Sequence, residues 1–231
     1  KPRGRLMGVL ILGLASLGLS WGQAQAAHAI RGITGPTFNL YAFPFNMNLP
    51  EGTSLHMWGF GDVDEGANAT PTPGTGYGLP QYPGPTLVVN AGDTVTINLL
   101  NSGVPQPVSV VVTGHDVASN CVTNVNGDCN GLVTEAAEVD EAVSYTFTAG
   151  QPGTYIYHSL DGANPGLHVE MGLLGVLIVR PAPADLIDTA SGKPTAYGDG
   201  SGTDYDQEFL SLLTEIDPDI HLQVEIGRAH V

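Results

Sequence analysis

Basic side chains are scarce. The chain of 231 residues carries 7 Lys and Arg against 23 Asp and Glu, a formal net charge of −16, and that balance repels nucleic acid phosphates and anionic lipid head groups. Neither is expected as a partner. No Gly-X-Ser-X-Gly elbow, Walker loop or dinucleotide-type glycine fingerprint occurs, so esterase-type, P-loop and Rossmann chemistry have no anchor. No spacing of Asp and Glu singles out a glycosidase pair. Cysteine is limited to Cys121 and Cys129 in "SNCVTNVNGDCNG". In so polar a loop the two read as a disulfide that pins it, which requires an oxidising compartment.

Export is also what the first residues suggest. Lys1, Arg3 and Arg5 precede the apolar run "LMGVLILGLASLGLSW", which leads to Ala24-Gln25-Ala26. These are the charged, apolar and small-residue parts of a secretory signal over 1–26, and the run is shorter than the ~20 residues of a membrane span. The mature chain is therefore expected to begin near Ala27, to work in the periplasm or outside the cell, and to have no membrane attachment.

Glycine (31) and proline (17) accompany a hydrophobic share of 42%, which suits a turn-rich β protein with a real core. "TVTINLL" sets Val95, Ile97 and Leu99 on one face, and "AVSYTFTA" does the same with Val143, Tyr145 and Phe147. That is the period of half-buried antiparallel strands. Turn signals such as Pro83-Gly84-Pro85 and Gln151-Pro152-Gly153 separate them. Roughly eight such strands predict an all-β sandwich or barrel over 27–180. Residues 181–203 read as a Pro/Gly/Ser-rich linker. The apolar run that resumes at Phe209 predicts that 204–225 opens a second, truncated domain with its first strand. The last six residues, "IGRAHV", match a translated sequencing adapter, so His230 is left out of any site.

Two histidines bracket a loop rich in Gly, Asn, Asp and Pro: His158 ends "GTYIYHS", and His168 precedes the apolar "GLLGVLIV". Zinc, copper or iron accepts imidazole, but two ligands rarely hold a metal alone. Together with "QYPGPTLVVNAGDTVTINLLN", "VSVVVTG" and "SYTFTAGQPGTYIYHS", these stretches resemble the first domain of multicopper oxidases and, in the same places, that of copper nitrite reductases. The resemblance covers most of Leu79 to Pro181. It implies a cupredoxin-like Greek-key barrel, copper as cofactor, downstream cupredoxin domains of the same polypeptide as partners, and room for a homo-oligomer.

The resemblance also shows what is missing. A blue copper in such a domain takes a Cys directly after the strand-end His, because soft thiolate stabilises the reduced metal; here Ser159 stands in that place. Leu173 occupies the position of the Met ligand, and Met171 lies two residues earlier. The His-X-His pairs of laccase-like enzymes fall on Val111 and Thr113 and on His158 and Leu160, so one of four survives. His158, His168 and His115 are then the candidate ligands, with Asp116, Asp161 and Glu170 as acceptors for their second nitrogens. His56 reads as a partly exposed strand residue, Met57 and Trp58 as core, and His221 as lying past the barrel. The expected function is the amino-terminal domain of an exported multicopper oxidase-type oxidoreductase that reduces dioxygen when complete and is inactive as this piece. Nitrite reduction is the alternative within the family. A non-catalytic structural or copper-binding module is the alternative of another class.

Overall fold

A computed structural model of the chain describes residues 30–62, 80–119, 135–160 and 165–227. Among these residues ten strands, numbered in chain order, form two five-stranded sheets. One sheet has the order β1 (Ile33–Thr34), β4 (Leu87–Asn90), β10 (Leu174–Arg180), β9 (Gly153–His158) and β6 (Val111–Val112). The other runs β3 (Ser54–Asp62), β2 (Thr37–Asn48), β5 (Thr94–Asn101), β8 (Ala142–Thr148) and β7 (Ala118–Ser119). β4 lies parallel to both β1 and β10, and β2 lies parallel to β5, while the remaining pairs are antiparallel. This is the expected all-β, cupredoxin-type architecture.

The period-2 patterns set the register. Val95 lies opposite Phe147, Ile97 opposite Tyr145 and Leu99 opposite Val143, and all six are buried. A slip of one residue would turn this whole set to solvent, so the core face holds the pairing. Trp58, Phe60, Tyr157 and Leu177 are likewise inaccessible and belong to the same core cluster. Burial raises the Tyr157 phenol far above its ordinary pKa, and its hydroxyl donates to the Pro85 carbonyl at 2.6 Å.

Two α-helices among the described residues depart from the strand-only expectation. Between β9 and β10 lies α1 (Pro165–Met171). It turns Leu167, His168 and Met171 inward and leaves Val169 exposed, the one-sided pattern of a surface helix. Gly172, at φ 113°, ends it. The second helix, α2 (Pro218–Glu225), starts at Asp217, whose side chain accepts from the Asp219 N–H at 2.9 Å, with a proline in its first turn. Ile220 and Val224 of α2 pack against the barrel core.

The tail therefore differs from the strand expected over 204–225. Residues 206–216 form neither helix nor strand and make no backbone–backbone hydrogen bond to any described residue, and α2 follows. No strand among the described residues pairs with it, and the segment is pinned at its ends by side chains. At one end Glu208 pairs with Arg180 of β10 and accepts from the Ile30 N–H. At the other, Tyr82 donates to Thr214 at 2.6 Å and the Asp217 N–H donates to Glu170 at 2.5 Å. The stretch expected as a linker is an ordered loop in which Asp188 accepts from the backbone of Ala190, Ser191 and Gly200.

Candidate functional site

The end of β9 sends consecutive side chains to opposite sides, as a strand must: Ser159 goes into the core and His158 to the outer surface. On the inner side Ser159 Oγ accepts from the Ser109 N–H at 3.1 Å and lies 2.7 Å from His168 Nδ1. His168 Nε2 is 2.9 Å from Gln106 Oε1. With that oxygen as acceptor, Nε2 carries the proton and Nδ1 accepts from the serine hydroxyl. Gln106 is delivered by a loop folded around Asn101, whose amide donates to the carbonyls of Val104, Gln106 and Ala137. The edge of Trp58 closes the site, with ring centroids 5.6 Å apart.

Ser159 and His168 are both fully buried, and every lone pair and proton of the imidazole ring is engaged. A blue copper does not fit. The thiolate is replaced by a hydroxyl, and His168 has no free nitrogen to offer. His168, expected as a metal ligand, is instead a hydrogen-bonded core residue, because α1 carries it beneath β9 rather than along a rim loop.

His158 has the opposite environment. Its Nδ1 donates to the Ser159 carbonyl at 2.9 Å, which leaves the Nε2 lone pair without a protein partner among the described residues. That is the orientation a carbonyl imposes on a metal-binding imidazole. The ring lines a cavity of about 490 Å³ with Tyr82, Ile156, Glu170, Leu174 and, from the tail, Leu212 and Leu213. Its neighbours across the sheet are Val111 and Leu174, neither a ligand. His158 therefore offers a metal a single imidazole nitrogen.

His115 does not join it. Its Nδ1 is bonded to the Thr113 carbonyl at 3.3 Å, its Nε2 accepts from the Gly150 N–H at 3.3 Å, and its ring stands edge-on to Tyr155 and Phe147. Tyr155 precedes His158 by three strand residues, roughly 10 Å along β9, so His115 sits toward the opposite end of the strand. The expected gathering of His115, His158 and His168 is not formed, and no three His, Cys, Asp or Glu side chains among the described residues are placed to hold a metal. Asp161, Cys121 and Cys129 lie outside the described residues.

His221 was missed by sequence reasoning. It is fully buried under β3, with Nδ1 2.6 Å from the His56 carbonyl and Nε2 3.5 Å from Glu170 Oε1. The helix-start signal Asp217-Pro218 with Ile220 and Val224 one turn apart was legible; that the helix would pack back on this barrel was not. Glu170, expected as an acceptor for a ligand histidine, serves this tail contact.

A family model described as multicopper oxidase matches residues 68–184. The chain is 31% identical over 147 residues to an L-ascorbate oxidase of Brassica rapa subsp. pekinensis, covering 64% of the chain and 22% of that protein. It is 34% identical over 115 residues to the copper-containing nitrite reductase of Alcaligenes xylosoxydans xylosoxydans, covering 50% and 32%. A crystal structure of a multi-copper oxidase from Pseudomonas thermotolerans superimposes with a TM-score of 0.47 at 20% identity, covering 68% of the chain and 32% of that structure. The chain thus spans about a fifth to a third of the length of these relatives. No helix among the described residues is long and apolar enough to cross a membrane.

Proposed function

The chain belongs to the multicopper oxidase family, and from that premise we propose that it is the exported amino-terminal barrel of a larger copper oxidoreductase, with a structural role and one outward copper ligand, His158. The observation that carries this reading is the division of labour at the end of β9. Inward, Ser159, His168 and Gln106 satisfy one another where a blue site would stand. Outward, His158 keeps Nε2 free, with its tautomer set by a carbonyl. Copper in the complete enzyme supplies one-electron chemistry toward dioxygen. This barrel's own contribution is to hold the His158 ring and to present surface to the domains that bring the remaining ligands.

The tail supports the existence of such domains. Phe209 and Leu213 are 83% and 91% exposed on a stretch whose backbone is unpaired, and both conditions favour coverage by another sheet. A reading toward nitrite has one observation of its own, the 34% identity to a copper-containing nitrite reductase. In either reading the chain by itself has no oxidase activity.

The test is Cu(II) titration of the chain followed by visible absorption and electron paramagnetic resonance. The expected result is no intense thiolate-to-copper band, and an imidazole-nitrogen signal that disappears in His158→Ala. A blue band, or a signal indifferent to His158, would overturn the proposal.

A further inference from the structure

The side chains that line the cavity beside His158 have a one-sided hydrogen-bonding character. His158 Nε2 can only accept, because Nδ1 carries the proton that goes to the Ser159 carbonyl. Glu170 takes the Asp217 N–H on Oε1, which leaves Oε2 free, and Glu215 lines the same cavity from the tail with no partner among the described residues. The possible donors are mostly spent: Tyr82 donates to Thr214 at 2.6 Å, and Thr113 donates to the Ile156 carbonyl at 3.1 Å. Among the side chains of the described residues that line the space, only the Thr214 hydroxyl hydrogen remains, and none is Lys or Arg. The rest of the wall is Ile156, Val169, Leu174, Leu212 and Leu213.

We propose that this cavity binds a small primary amine carried on an apolar body, with the ammonium among His158 Nε2, Glu170 and Glu215 and the apolar part against the leucines and isoleucine. An ammonium brings three donors and no acceptor, the complement of these groups, and its hydrogen bonds to carboxylate are charge-assisted. A volume near 490 Å³ lies within the ~300–1,000 Å³ range of small-molecule sites. Carboxylates and phosphates are repelled by Glu170 and Glu215. Neutral apolar molecules bring no donor for His158 Nε2 or the two carboxylates.

The inference does not depend on the copper reading, although both use His158 Nε2, and that overlap separates them. The full chain is titrated with phenethylamine, 2-phenylethanol and phenylacetate while the His158 ring protons are followed by nuclear magnetic resonance. The amine is expected to bind ~10-fold or more tightly than the alcohol, phenylacetate not at all, and Glu215→Gln to weaken the amine by roughly 3–10-fold. Equal binding of all three, no binding of the amine, or unchanged amine affinity in Glu215→Gln or His158→Ala would overturn the inference. Added Cu(II) then distinguishes the two readings. An amine that binds but is not displaced leaves this inference standing and sinks the copper ligand, whereas copper bound at His158 without any amine binding does the reverse.

Discussion

Ser159→Ala tests the inner half of the site. The substitution removes one oxygen that serves two buried groups, the Ser109 N–H at 3.1 Å and His168 Nδ1 at 2.7 Å. Neither has water to turn to, since Ser109, Ser159 and His168 are all inaccessible. A buried polar group left without its partner costs ~1–3 kcal/mol, so the expected loss is about 2–5 kcal/mol, a large part of a typical stability of ~5–15 kcal/mol. At ~2–4 °C per kcal/mol for a chain of this size, the melting temperature falls by roughly 4–20 °C. Urea unfolding followed by tryptophan fluorescence measures it, since Trp58 stands against His168. Gln106→Leu, made alone and with Ser159→Ala, completes a double-mutant cycle. Because both residues act through one imidazole, the cycle should return a coupling of ~0.5–3 kcal/mol. A loss below ~0.5 kcal/mol for Ser159→Ala, or strict additivity, would refute the reading of these three side chains as a single locked unit.

Gly172→Ala should destabilise by ~1–3 kcal/mol from backbone conformation alone, and by more in practice, because a Cβ there would lie 2.5 Å from the Trp58 carbonyl oxygen; stability within error of the parent in urea unfolding would contradict the geometry. The Arg180–Glu208 pair should make tail docking acid-sensitive. Burial pulls the Glu208 carboxyl upward, but hydrogen bonds from Arg180 and the Ile30 N–H outweigh it and hold the pKa below its ordinary value. A carboxyl depressed in the folded state stabilises above its unfolded pKa of ~4.3 and loses that contribution as pH falls through the folded value. Glu208→Gln should therefore melt below the parent at pH 7, and the gap should close under about pH 4; a gap independent of pH would exclude the ion pair as its cause.

Much of the barrel was determined by the sequence itself. Alternation at Val95, Ile97 and Leu99 and at Val143, Tyr145 and Phe147 put those residues on the buried faces of paired strands, because side-chain direction in a strand follows residue parity. Ser159 in the thiolate position was equally readable, since residue identity alone excludes a soft ligand there. The partners of the histidines were not. Gln106 lies 62 positions from His168 and reaches it only through the loop folded around Asn101. His115 and His158 were both candidate ligands by residue type, yet they sit toward opposite ends of β9. His221 seemed remote until α2 folded back beneath β3, 165 positions away. Local periodicity sets which face a residue occupies; which distant groups meet it there depends on sheet order and loop closure, and only the tertiary structure decides those.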